Sequence, residues 1–233
     1  MRKKIIILLL LTFATFSISE TINYKDITYV EGFKSGRTLF YYKDKNLSGV
    51  HTIVMDKPIR YKTDEYSYII NKLEGTFTDG SLDKEVKVYK DDQLVGEIFY
   101  VYGTKKSFKY YFPNGVISET LEKSTYRKYN DKGVLVIENL YGEYIKKYND
   151  KGVLIIEDLY GKYLKEYYDN GNLKLSKAFK KSRENGITLD YYENGALKSS
   201  RTFKDGLLNG ESTFYNEDGT ILKKEIYSKG MKK

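Results

Sequence analysis

Apolar residues in the second half of this chain are spaced by glycines rather than by a helical period. The pattern Tyr-x-x-x-Gly-x-Leu/Ile occurs six times, starting at Tyr111, Tyr129, Tyr148, Tyr167, Tyr191 and Tyr215. Its glycines, from Gly115 to Gly219, are separated by 18, 19, 19, 24 and 24 residues. Asn114-Gly115, Asn170-Gly171, Asn194-Gly195, Asn209-Gly210 and Asp218-Gly219 are the dipeptides of two-residue hairpin turns, in which both central residues take positive φ. The pattern therefore predicts a meander of antiparallel hairpins, with no helix-period stripe beyond the first residues of the chain. A motif at this period marks a stacked repeat, because no unit of that size buries its apolar face alone.

Two repeat lengths describe one unit. Gly133–Lys151 and Gly152–Asn170 are identical at 12 of 19 positions, including Glu138/Glu157, Leu140/Leu159 and Tyr144/Tyr163. Gly171–Asn194 and Gly195–Asp218 share a 24-residue form with Phe179/Phe203, Lys180/Lys204, Asn185/Asn209 and Gly186/Gly210. The five extra residues fall at the distal turn, where added length costs little. Positions +2 (Leu or Ile) and +8 (Phe or Tyr) from the turn glycine have equal parity, so a regular strand projects them from one face. The register of the Tyr-x-x-x-Gly turn stays open. A two-residue turn sets Leu197 opposite Tyr192, and a four-residue loop sets it on the face of Tyr191.

The ends divide the chain further. Arg2, Lys3 and Lys4 precede an apolar run from Ile5 to Phe16 and the small residues of Ser17-Ile18-Ser19. That is the anatomy of a cleaved secretory signal, and the run is shorter than the ~20 residues that span a bilayer. The expected organisation is a signal-peptide helix over 1–19, diverged N-terminal hairpin repeats over 20–110 and the regular array over 111–233. A separate small β domain is the alternative for 20–110. The expected location is outside the cytoplasm: periplasm, cell surface or medium. A composition heavy in Lys, Ile, Asn and Tyr suggests a bacterial source.

Composition narrows the function. There are 25 Tyr, 11 Phe, no Trp and no Cys. Tyr covers a pleated surface while its hydroxyl stays wet, which suits a thin sheet exposed on both sides. An exported chain without cysteine has no disulfides and must rely on packing and ladder hydrogen bonds. The net charge of +8 falls to +5 without residues 1–19, and the charges alternate in sign, as in Lys-Glu-Tyr-Tyr-Asp at 165–169. Such a balance allows weak contact with an acidic or membrane surface. Export and the absence of Arg clusters argue against nucleic acid.

Catalytic chemistry has no foothold in the motifs. His51 is the only histidine, no Gly-x-Ser-x-Gly elbow is present, and neither phosphate-binding glycine loops nor kinase signatures occur. No catalytic residue, metal ligand or cofactor is expected. The candidate binding surface is a Tyr/Lys ladder: Tyr144, Lys146 and Tyr148, then Tyr163, Lys165 and Tyr167 one repeat later. The same tyrosines, stacked on neighbouring strands, also stabilise a sheet by roughly 0.2–1 kcal/mol per pair.

The stretches 191–199 (Tyr-Tyr-Glu-Asn-Gly-Ala-Leu-Lys-Ser), 203–211 (Phe-Lys-Asp-Gly-Leu-Leu-Asn-Gly-Glu) and 214–220 (Phe-Tyr-Asn-Glu-Asp-Gly-Thr) resemble the MORN-repeat variant found in bacteria, often described as toxin–antitoxin-associated. The resemblance is good over 167–230, fair over 110–166 and weak over 20–109. It implies an all-β fold of tandem antiparallel β-hairpins in an elongated, single-layer twisted sheet that contacts protein or membrane without catalysis. The 19-residue units and the missing Trp depart from the usual motif. On this reading the protein is an exported binding protein with a protein or cell-envelope partner, and an antitoxin or immunity-type partner of a toxin is the alternative.

Overall fold

The computed structural model describes residues 19–31, 38–62 and 67–233. The expected signal-peptide helix lies outside the described residues, which take up only Ser19 at its end. The chain divides into two compact units. One comprises residues up to Asp91 with Tyr100–Thr104, and the other Asp92–Phe99 with Lys105–Lys233.

The first unit has two layers. Strand β1 (Glu20–Asn23) runs parallel to β5 (Gly49–Lys62), which pairs antiparallel with β6 (Ser67–Thr78), itself antiparallel to β7 (Ser81–Lys90). A second sheet contains β2 (Ile27–Glu31), β3 (Thr38–Tyr42) and β4 (Lys45–Asn46). Ile22, Ile27, Leu47, Ile53 and Phe77 are buried together, with Phe40, Met55, Leu73 and Leu82 packed against them. Each such side chain contributes roughly 1.5–3 kcal/mol of transfer free energy. Main-chain bonds from Phe40 N to Gly80 O (2.8 Å) and from Gly80 N to Leu47 O (2.8 Å) tie the small sheet to the β6–β7 turn.

Strand β8 (Gln93–Val101) is divided between the units, and the hairpin series follows. It comprises β9 (Thr104–Tyr111), β10 (Ile117–Glu122), β11 (Thr125–Tyr129), β12 (Leu135–Leu140), β13 (Tyr144–Tyr148), β14 (Leu154–Leu159), β15 (Tyr163–Tyr167) and β16 (Leu173–Lys180). It continues through β17 (Arg183–Glu184), β18 (Gly186–Tyr191), β19 (Leu197–Lys204), β20 (Leu207–Tyr215), β21 (Ile221–Ser228) and β22 (Met231–Lys232). From β9 to β16 each strand pairs antiparallel with the next. Strand β16 then meets both β17 and β18, and the one-after-another order resumes to β22. The expected all-β architecture of tandem antiparallel hairpins is what the described residues form.

Every residue of β12, β14 and β15 is half-buried, whichever way it points. That is the condition of side chains covered only by their cross-strand neighbours. Buried aromatic packing sits instead at the start of the second unit, where Phe108 and Tyr110 stack with ring centroids 4.8 Å apart.

The Tyr-x-x-x-Gly turns differ from the two-residue expectation. Tyr191 pairs with Leu197, so the turn is the longer of the two alternatives. Tyr192 N donates to Ala196 O at 2.8 Å, and Gly195 N donates back to Tyr192 O at 2.9 Å. Gly195 has φ +88°, whereas Asn194 is not left-handed. A type I turn followed by one left-handed residue needs only the glycine. The asparagine serves through its side chain, Oδ1 accepting from Ala196 N at 2.8 Å. In the 19-residue units, where lysine precedes the glycine, Asn130 and Asn149 sit earlier in the turn, and each accepts from two main-chain amides at 3.0–3.1 Å.

Asn209-Gly210 is a further correction: both residues lie inside β20, and Gly210 pairs with Tyr227. The two-residue turn of that hairpin is Asp205-Gly206, with φ of +52° and +86°. The expected parity of +2 and +8 also fails in the short units. The register shifts between Lys128 and Tyr129 opposite Leu135–Ile137, and Tyr141 stands in the turn beyond β12.

Successive proximal turns are bonded side by side. Tyr168 OH donates to Tyr191 O at 2.8 Å, and Tyr192 OH donates to Tyr215 O at 2.8 Å. Asn114 Nδ2 donates to Asp131 O at 2.8 Å, and Asn170 Nδ2 to Glu193 O at 3.0 Å. These contacts link turn to turn as the ladder bonds link strand to strand.

Candidate functional site

The Tyr/Lys ladder forms on one face of β13 and β15, and the pairing inserts residues between its members. Glu138 lies opposite Lys146, Lys146 opposite Glu157, and Glu157 opposite Lys165. Arg127 stands opposite Glu138 on the other side. The row therefore alternates in sign: Arg127, Glu138, Lys146, Glu157, Lys165. A parallel row sets Tyr144 between Leu140 and Leu159, and Tyr163 between Leu159 and Ala178.

The side chains close on the two carboxylates. Arg127 Nε donates to Glu138 Oε2 at 2.8 Å, and Tyr144 OH donates to Glu138 Oε1 at 2.9 Å. Glu157 is approached by Lys146 Nζ at 3.6 Å, by Lys165 Nζ at 3.9 Å and by the Tyr167 hydroxyl at 3.5 Å. Lys146 lies 5.3 Å above the Tyr144 ring centre and Lys165 lies 4.9 Å above that of Tyr163, within cation–π range. Five of the six expected residues thus make direct contacts within the cluster. Tyr148 sits past the register shift at the end of β13, opposite Leu154.

The electrostatics follow from this geometry. Burial pushes the Glu138 carboxyl up, but the hydrogen bonds from Arg127 and Tyr144 outweigh it and hold the group below its ordinary 4.5. Those bonds act in reverse on the donors. The Glu138 bond raises the Arg127 guanidinium, and the same carboxylate followed by burial raises the Tyr144 phenol. Tyr148 and Tyr167 are raised mainly by burial and next by the nearby glutamates. The phenols are therefore held protonated, as donors.

Sequence reasoning identified the tyrosines and lysines by parity but not Arg127, Glu138 and Glu157 as their partners. The available signal was the Glu138/Glu157 identity between repeats; what was missing was the cross-strand register. Among the described residues no group of three His, Asp or Glu side chains is placed to hold a metal ion.

With this geometry in view, the comparisons bear on two of the repeats. The MORN repeat variant family matches residues 184–205 and 208–229. The chain therefore contains two MORN-variant repeats, each running from the end of one distal turn to the next. MORN repeats are non-enzymatic modules that generally bind protein or membrane surfaces. No curated protein matches the chain.

Proposed function

We propose that this is an exported, non-catalytic interaction protein that engages a protein partner of the cell envelope or surface through the Tyr/Lys face of β13 and β15. The observation that carries the reading is the closed network around Glu138 and Glu157. Each cation of the row lies beside a carboxylate, and the tyrosine rings stay half-exposed in fixed positions. Rings held in place this way offer contact area at little further entropy cost on binding. Export rests on the basic-then-apolar pattern of residues 2–16 and the small residues of Ser17-Ile18-Ser19 that follow it.

Cell fractionation tests the location, and affinity capture on the full chain followed by variants tests the face. Tyr144→Ser with Tyr163→Ser is expected to abolish capture of the partner while lowering the melting temperature by only a few degrees. Collapse of the fold, or undiminished capture by a folded double variant, would assign these tyrosines to sheet stability alone.

A further inference from the structure

The five residues that lengthen the last repeats build a feature the short repeats lack. Strand β15 ends its pairing at Tyr163 opposite Ala178, so Phe179 and Lys180 run past it into a longer hairpin tip. Lys180 pairs with Arg183 across a tight turn at Lys181 and Ser182, both with positive φ. The next tip, at Asp205-Gly206, bonds to the first through Gly206 N to Glu184 O at 2.8 Å. Between the two lies a groove of about 850 Å³. Ser176 and Ala178 lie opposite Lys165 and Tyr163, so strand alternation places Lys180 on the face that carries the Tyr/Lys ladder.

The groove is basic. Lys180, Lys181, Arg183 and Lys204 line it, with Asp205 as its one acid and with Asn185, Asn209 and Thr202 as neutral polar groups. Among the described residues none of the four cations has a carboxylate partner, in contrast to Arg127, Lys146, Lys165, Lys177, Arg201 and Lys224 of the same unit. The charge belongs only in part to the repeat pattern, since Lys180 recurs as Lys204 but Lys181 and Arg183 do not recur. The equivalents of Lys181 and Arg183 one unit later are Asp205 and Leu207.

The cations do not converge on one point. Lys180 and Lys204 are on strands two steps apart, roughly 10 Å across a sheet. A compact anion spans one such position, and an extended one spans both. The only ring at the groove, Phe203, already has the Arg201 guanidinium 5.8 Å from its centre. A single ring with a cation already beside it provides no series of aromatic faces on which successive bases or sugar rings would stack. We infer that this groove binds an acidic peptide segment of a partner protein, its carboxylates meeting Lys180, Arg183 and Lys204. The inference rests on the interaction reading above and specifies the partner's charge.

Fluorescein-labelled decaglutamate, titrated with the full chain and followed by anisotropy at two salt concentrations, tests it. Saturable binding that weakens with salt is expected, along with at least about tenfold loss in Lys180→Ala/Arg183→Ala. Lys132→Ala/Lys151→Ala, which removes two exposed turn lysines elsewhere in the same unit, is expected to leave binding unchanged. Absence of saturable binding, equal loss in both double variants, or tighter binding of a sulfated oligosaccharide or of anionic vesicles would overturn the assignment. If decaglutamate fails while the Tyr144/Tyr163 pair still governs partner capture, the groove assignment falls and the wider interaction reading stands. If decaglutamate binds and that pair has no effect, the reverse holds.

Discussion

Arg127 and Glu138 face each other across the β11–β12 pair with Nε and Oε2 2.8 Å apart, and the Tyr144 hydroxyl from β13 occupies the other oxygen of the same carboxylate. Three successive strands are thus joined at one half-buried acid. Half-buried strands hold their register less firmly through burial alone, and a one-residue slip would move every side chain to the other face.

Glu138→Gln should therefore destabilise the second unit by about 1.5–3 kcal/mol, the range for a hydrogen bond to a charged partner. The pH dependence has a definite sign. The folded carboxyl titrates below its ordinary 4.5, so its contribution is complete above that pH and is lost as the pH falls through the folded value. Urea denaturation of wild type and variant should differ at pH 7 and converge as the pH drops well below 4. A gap unchanged from pH 7 to pH 3 would show that charge at Glu138 is not what links the strands.

The turns allow a separation of backbone from side-chain effects. A Cβ at Gly195 would meet only Asn172 Nδ2, at 3.8 Å, so Gly195→Ala has room and its cost is conformational. Roughly 1–2 kcal/mol is expected for a left-handed alanine. Asn194→Gly should cost less, because the turn does not need a left-handed residue there and only the bond to Ala196 N is lost. Reversal of that order in denaturation midpoints would restore the two-residue turn as the better description.

Much of the hairpin series was legible in the sequence because the signal is local: Tyr191, Gly195 and Leu197 recur with the same spacing around each corner. The turn type was not. Asn-Gly usually marks two left-handed residues, yet in these corners asparagine acts through its carbonyl oxygen and the following glycine alone is left-handed. Asn209-Gly210 shows the same limit, since a dipeptide cannot reveal whether the chain turns at it or a few residues earlier, at Asp205-Gly206. The pairing of Lys146 with Glu138 and Glu157 was hidden for a related reason, as register depends on turn length. The two-layer packing of Ile22, Ile27, Leu47, Ile53 and Phe77 left no periodic trace. It arises where β2–β4 fold over β5–β7, a contact between segments far apart in sequence.

That packed core should respond differently from the half-buried strands of the second unit. Phe77 is 2% exposed and meets the Phe40 ring edge-on, with centroids 5.6 Å apart. Phe77→Ala should cost about 3–5 kcal/mol, the range for emptying an enclosed aromatic site. Ile145→Ala, on half-buried β13, should cost well under half of that, because water already reaches one side of the site. Equal losses in the two variants would mean that the second unit is covered more fully than its exposure indicates.

Tyr192 offers a test of what holds one repeat to the next. Its hydroxyl donates to the main-chain carbonyl of Tyr215, 23 residues on, as Tyr168 does to Tyr191. Tyr192→Phe keeps the ring and removes only the donor, so a loss of about 1 kcal/mol is expected. Amide exchange should quicken around Asn216 and Gly219, in the turn that follows that carbonyl. Tyr160→Phe is the control, because that ring is 44% exposed in a distal turn and, among the described residues, its hydroxyl makes no hydrogen bond to a neighbouring repeat. Matching losses in the two variants would point to a general effect of phenol hydration, whereas a loss confined to Tyr192 identifies the corner hydroxyl as a link between repeats.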